Sequence, residues 1–244
     1  MTHYPNDGIR RADRARVTER NTPLVLVRGL NDVASAAAHR LFRAGYTVSI
    51  QHEDEPPKTH RRKMAFADAF FDGSAVLADV TARRSATPAE MAAELRRRAA
   101  IPVVVGDLKH WLETSPWTVL IDARMRKRIP PESHCGLAAL TIGLGPGHEA
   151  LRTADVVIET IWGDRLGAML REGSALPLAG EPRPIDGIGR ERIVYAPISG
   201  VLRSDIQIGE PISTGALVAT IGGTPLSAPI FGTLRGLTRA GVRC

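Results

Sequence analysis

An α/β fold with a Rossmann-like, mostly parallel sheet flanked by helices, followed by a small all-β domain, is what this sequence predicts. Three observations carry that prediction. Runs rich in Val, Ile and Leu recur between residues 23 and 161, the pattern of strands buried on both faces. Capped amphipathic helices lie between the first of these runs. Beyond residue 190 the chain turns to short strands and glycine turns with an internal echo.

The elements follow in order. PLVLVRG (23–29) is an apolar run ending in glycine, and DVASAAAHRLFRAG (32–45) carries Val33, Ala37, Leu41 and Ala44 at helical spacing. Asp32 is the expected cap and Gly45 the stop. YTVSIQHE (46–53) is a second strand, and strand, helix, strand within about 30 residues implies a parallel unit. AVLADVTA (75–82) reads as one strand, and TPAEMAAELRRRA (87–99) as a helix with Thr87 as cap and Pro88 in its first turn. IPVVVGD (101–107), WTVLIDAR (117–124), LAALTIGLG (137–145) and DVVIETI (155–161) supply the remaining strands. The expected division is a polar tail 1–22, a Rossmann-like domain 23–175, a Pro/Gly-rich linker 176–190 and a β domain 191–244.

The β domain looks like a barrel-sandwich of the biotinyl type. YAPISGVLRSDIQIGEPI (195–212) is echoed by SAPIFGTLRGLTRAGVRC (227–244), with Gly200 and Gly209 answered by Gly232 and Gly241. Between the halves, a Gly222-Gly223 turn occupies the place where a carrier domain presents its lysine. The last lysine of the chain is Lys127, so neither biotin nor lipoate can be attached here. The domain is expected to pack or dock, with Ile230 and Leu234 facing inward.

The chain is 43% hydrophobic with a mean hydropathy of −0.08, which fits a globular protein. No apolar run approaches the ~20 residues that span a bilayer, and the charged N-terminus lacks a signal-peptide core. Two cysteines, Cys135 and Cys244, are too few for a disulfide framework or a cysteine zinc site. No metal is expected, and the cytoplasm is the expected compartment. Net charge is +6 with a pI near 9.9, and basic residues cluster at 58–63, 96–98 and 124–128. Aromatics are 5% and do not interleave with these clusters, which argues against nucleic acid. An anionic small molecule or an acidic protein surface suits them better, and self-association stays open.

Candidate site residues fall at strand ends, where open α/β sheets place ligands. Gly29, Asn31 and Asp32 occupy the place of a dinucleotide phosphate loop, with one glycine instead of three. Glu53 ends the second strand, where an acid would grip a ribose. Asp122 precedes a basic run containing Arg124 and Lys127; a capped turn with a solvated basic helix start is the plainer reading. Gly143, Gly145 and Gly147 form a loop whose amides can line an anion cradle. His148 follows it as a candidate for proton transfer, or as a surface residue. Glu159 and Asp164 are candidate base or metal ligands, and Thr160 lies between them. His134 and Cys135 are neighbours, so in a strand they would face opposite ways, and Cys135 reads as a small residue entering a buried strand.

Taken together, these motifs resemble a divergent member of the selenium-dependent molybdenum hydroxylase system protein (YqeB-like) family, distantly akin to xanthine dehydrogenase maturation factors. The resemblance rests on the opening around VRG and AHRLFRAGY, on RRKMAFADAFFDG (61–73), VLIDARMRKR (119–128), IGLGPG (142–147) and DVVIETIWGDRLGAML (155–170), and on APISGVL with IGEPI. It departs where the family reads RGAGDLATG and this chain RGLNDVASA, and where a family histidine is replaced by Asp164. The family pattern also continues with a strand beyond the position of Cys244. The resemblance implies an accessory or maturation role for a molybdenum-type hydroxylase apoenzyme, binding or modifying a molybdopterin dinucleotide; selenium dependence is not carried over. Two other readings stand beside it. One is an NAD(P)-binding oxidoreductase using Glu53. The other is a non-catalytic docking protein using its C-terminal β domain.

Overall fold

The structure, a computed structural model, describes residues 22–57, 64–126, 129–178, 182 and 184–244. The first strand, β1 (Leu24–Arg28), alternates its side chains between two cores. Val25 and Val27 enter one with α1 (Asp32–Arg43) and the segment of α2 (Asp68–Asp72). Leu26 enters the other, with Met91 of α3 (Pro88–Arg97) and Trp111 of α4 (Leu108–Leu112). Helices thus cover both faces, and the apolar run is continuous because each face is buried.

The remaining strands of this sheet are β2 (Thr47–His52), β3 (Ser74–Leu77), β4 (Val80–Arg84), β5 (Ile101–Val105), β6 (Val119–Asp122), β7 (Leu140–Leu144), β8 (Val156–Ile158) and β9 (Met169–Leu170). Their order is β3-β4-β5-β2-β1-β6-β7-β8-β9. Pairing is parallel from β4 to β8, with antiparallel strands at both edges. The order reverses at β1: β2 lies on one side and β6 on the other. This is the switch point outside which such sheets bind ligands.

Several local expectations need correction. Residues 75–82 are two strands, β3 and β4, in a hairpin whose turn places Ala78 at φ 52°. The cap of α1 is Asn31, whose Oδ1 accepts from the Ala34 N–H at 2.9 Å, and Asp32 is the exposed first helical residue. A side-chain cap of this kind is worth about 1 kcal/mol. Thr87 does cap α3, accepting from the Glu90 N–H at 3.2 Å. Among the described residues the segments following β6 and β7 form no α-helix; Pro130, Pro131 and Gly136 interrupt the first. His134 is buried and Cys135 half-buried in that segment, outside any strand.

The C-terminal part builds two small antiparallel sheets. One contains β10 (Leu202–Arg203), β12 (Leu217–Ile221) and β13 (Thr224–Ser227); the other contains β11 (Pro211–Ile212) and β14 (Gly232–Thr233). Gly222 and Gly223 join β12 to β13 as a two-residue turn with φ 55° and 90°, the double positive φ of a type I′ hairpin.

The sequence echo is a structural pseudo-symmetry. The Gly209 N–H donates to the Leu234 carbonyl at 2.8 Å, and the equivalent Gly241 N–H donates to the Leu202 carbonyl at 2.8 Å. Likewise the Leu234 N–H donates to Glu210, and that of Leu202 to Val242. Each half therefore pairs with the other rather than with itself. The core is Leu202, Ala219 and Ile221; Ile230 and Leu234, expected inside, are half-buried and lie outside it. Arg239 of this part forms a bidentate pair with Asp72 and stacks on Phe71 at the end of α2. Among the described residues no helix is long and apolar enough to cross a membrane.

Candidate functional site

Parallel register lays one row of residues across the carboxyl ends of four strands. Gln51, Arg28, Asp122 and Gly143 are successive partners in β2, β1, β6 and β7. In parallel strands, partners in register share a face, here the face that receives Leu26 and Leu120. With no helix between β6 and β7 among the described residues, the cover above this row comes from the segment bearing Glu132 and His134, and from His148. Gly143 is needed because a Cβ there would lie 2.4 Å from the His148 ring. The missing side chain leaves the space that the imidazole fills.

Charged groups converge on the row. The Asp122 carboxylate accepts from the Arg124 backbone N–H at 3.1 Å, from Nε at 2.9 Å and from Nη2 at 2.6 Å. Both side chains are buried, at 3% and 7% exposure. Arg28, also buried, reaches Gln51, Glu53, Glu132 and His134. Arg126 joins Glu53 and Glu132. A small pocket opens between Asp122, Arg124, Arg126, Pro131 and His148.

Protonation states follow from partners. Burial pushes the Asp122 carboxyl up, but the Arg124 hydrogen bonds and charge outweigh it and hold it low. Glu132 is held well below the usual range, the Arg124 and Arg28 contacts outweighing burial. Glu53 is lowered against burial by Arg126 and Arg124. His134 and His148 are both lowered by burial, with the Asp122 charge opposing. Arg28 Nη1 donates to His134 Nε2 at 2.8 Å, so the His134 proton sits on Nδ1, an atom without a hydrogen-bond partner among the described residues. Thr153 Oγ1 donates to the Glu149 carbonyl, so it accepts from His148 Nδ1–H at 3.2 Å. His148 Nε2 therefore keeps its lone pair, facing Asp122 Oδ2 at 3.8 Å. The arrangement offers guanidinium forks for an oxyanion and one neutral imidazole able to accept a proton.

The structure brings Asp122, Arg124, His148 and Gly143 together, and adds Glu53, with Arg28, Arg126, Glu132 and His134, which were not among the predicted site residues. Of the plainer expectations, the capped turn holds, Asp122 accepting from the Arg124 N–H, but Arg124 is not solvated, and His148, at 4% exposure, is no surface residue. Lys127 lies outside the described residues. The other candidates have structural partners. Gly29, at φ 118°, packs its α-carbon face against the Ala123 and Arg124 backbone. Asn31 Nδ2 donates to the Ala123 and Arg124 carbonyls, tying the start of α1 to the segment after β6. Gly145 packs against Thr160 and Met125, and Gly147 against Pro131. Glu159 is buried and accepts from the Thr160, Ile161 and Leu176 N–H groups; these bonds overcome burial and lower its carboxyl. Asp164 is exposed. Arg28 was legible as a charge closing a buried run; Glu132 carries no local signal. Among the described residues, no group of three or more His, Cys, Asp or Glu is placed to hold a metal ion.

The chain is homologous to the uncharacterized protein YqeB of Escherichia coli (strain K12), with 37% identity over 219 residues. The match takes in 90% of this chain and spans 40% of that protein's length. No family model and no solved structure matches the chain.

Proposed function

We propose that this chain is an accessory protein for a molybdenum-type hydroxylase, holding a phosphate-bearing cofactor of the pterin dinucleotide type in the arginine crevice. The observation that carries this reading is the convergence of Arg28, Arg124 and Arg126 over the carboxyl ends of β1 and β6. Guanidinium forks match phosphate oxygens bidentately, and the place is the switch point of the sheet. The donor set fits the diphosphate of such a cofactor; the motif resemblance supports the rest. When bound, the cofactor supplies redox chemistry to the hydroxylase. In this chain Arg28, Arg124 and Arg126 bind and orient the phosphates, and His148 Nε2 accepts a hydrogen bond or a proton from the ligand. The nicotinamide reading lacks comparable support, because Gly29 and Asn31 bind the segment after β6 and Glu53 is engaged by arginines.

The test is transfer to a hydroxylase apoenzyme from protein preloaded with molybdopterin dinucleotide. The expected result is faster recovery of hydroxylase activity than with free cofactor, abolished by Arg124→Met with Arg126→Met. Equal recovery with free cofactor, wild type and the double variant would overturn the reading.

A further inference from the structure

The arginine crevice is neutralised with two of its three cations inside, Arg126 being 30% exposed, and its glutamates outside. The Arg28 and Arg124 side chains are 7% exposed, whereas those of Glu53 and Glu132 are 41% and 47% exposed. Each glutamate touches every arginine of the trio. Glu53 Oε1 lies 3.3 Å from Arg28 and 3.1 Å from Arg124, and contacts Arg126 as well. Glu132 Oε2 lies 2.9 Å from Arg124 and 3.8 Å from Arg126, and its Oε1 contacts Arg28. Asp122, by contrast, is buried beneath and bound to Arg124 alone of the trio. With Glu53 and Glu132 removed from the sum, three guanidiniums less Asp122 leave two uncompensated positive charges in the crevice.

Resting on the proposed function, we propose that Glu132 is an internal stand-in for a diphosphate group. The ligand's adjacent phosphates take the seats of the Glu132 and Glu53 carboxylates on the same guanidiniums, and both carboxylates turn outward to admit them, Glu132 first. A diphosphate diester carries two negative charges on adjacent groups, matching both the residual charge and the two seats; a single phosphate fills one. Carboxylate and phosphate oxygens meet guanidinium forks in the same geometry, so the glutamates hold the arginines preformed. Glu132 is the member freer to leave. It lies among Ile129, Pro130, Pro131 and Glu132 outside any helix or strand, whereas Glu53 directly follows His52, which is paired to Val105 in the sheet.

Calorimetric titration of the full chain with inorganic pyrophosphate, and with inorganic phosphate as the single-group control, tests this. Wild type should bind pyrophosphate more tightly than phosphate. Glu132→Gln should tighten pyrophosphate about tenfold or more, the worth of roughly one charge-assisted hydrogen bond. Glu132→Asp is the discriminating variant: it keeps the charge but is one methylene too short to join Arg28 to Arg124, and should tighten binding nearly as much. Tightening by Glu132→Gln with a wild-type affinity in Glu132→Asp would overturn the stand-in, leaving only a charge effect through space. Wild-type binding unchanged in both variants would overturn it too, with the crevice reading intact. No pyrophosphate binding by any of the three would overturn the crevice reading itself.

Discussion

Asp122→Asn removes one charge from the bottom of the crevice while keeping the side chain's shape. In the native protein its two oxygens accept from Arg124 three times, at 3.1, 2.9 and 2.6 Å. Both side chains are at most 7% exposed. Breaking a buried ion pair from one side costs about 3–5 kcal/mol, because the remaining charge is left uncompensated. Two facts place this variant at the lower end. Asparagine keeps one acceptor oxygen, and Arg124 retains Glu53 at 3.1 Å and Glu132 at 2.9 Å, both partly solvated. The expected loss is therefore about 3 kcal/mol, which for a chain of this size lowers the melting temperature by roughly 6–12 °C. Urea unfolding at pH 7, with the slope of the transition compared between variants, measures it. A loss below about 1 kcal/mol, the range of exposed pairs, would refute the claim that this pair is buried and structurally committed.

Further predictions follow from the same geometry. Gly143→Ala forces a Cβ to within 2.4 Å of the His148 ring and should cost at least the roughly 1–3 kcal/mol of overpacking; an unchanged urea midpoint would show that the imidazole does not fill that space. The depressed His134 and His148 bind fewer protons folded than unfolded, so stability is full above the unfolded value near pH 6.5 and falls as pH drops toward the folded values. His148→Gln should flatten that limb; a slope equal to wild type would contradict the assignment of His148 as a buried neutral ring. The depressed carboxyl of Asp122 contributes on a separate limb: its stabilisation is present above about pH 4 and lost as pH falls through the folded value, so Asp122→Asn should be least different from wild type in strong acid. Arg239→Ala breaks a contact on Asp72 that is 28% and 41% exposed and should cost less than about 1 kcal/mol; a loss above about 3 kcal/mol would show a more deeply coupled junction.

The sheet was readable because burial on both faces leaves continuous Val/Ile/Leu runs, as in VLVR and PVVV, and because Thr87-Pro88 starts a helix by local chemistry. The C-terminal echo was readable because glycine positions mark turns, and the paired Gly209 and Gly241 bonds realise it directly. The β3–β4 hairpin was not readable, since its turn uses Ala78-Asp79 rather than a glycine. At the site, Asp122 and Arg124 were found by their place at a strand end. Glu132 was not, because its role arises only when the segment after β6 folds back over β1, 104 residues away in sequence from Arg28. The packing duty of the glycine-rich loop was unreadable for a related reason: Gly143 and Gly145 clear space for His148 and Thr160, neighbours that only the folded chain brings to them.

Native mass spectrometry of gently purified protein, followed by denaturation and identification of what is released, tests the central claim most directly. The account predicts that wild type carries a molecule with a diphosphate, the pterin dinucleotide, and that Arg124→Met with Arg126→Met carries none. A folded wild type that is empty even when isolated from cells making that cofactor, or the same bound species in both proteins, would contradict it.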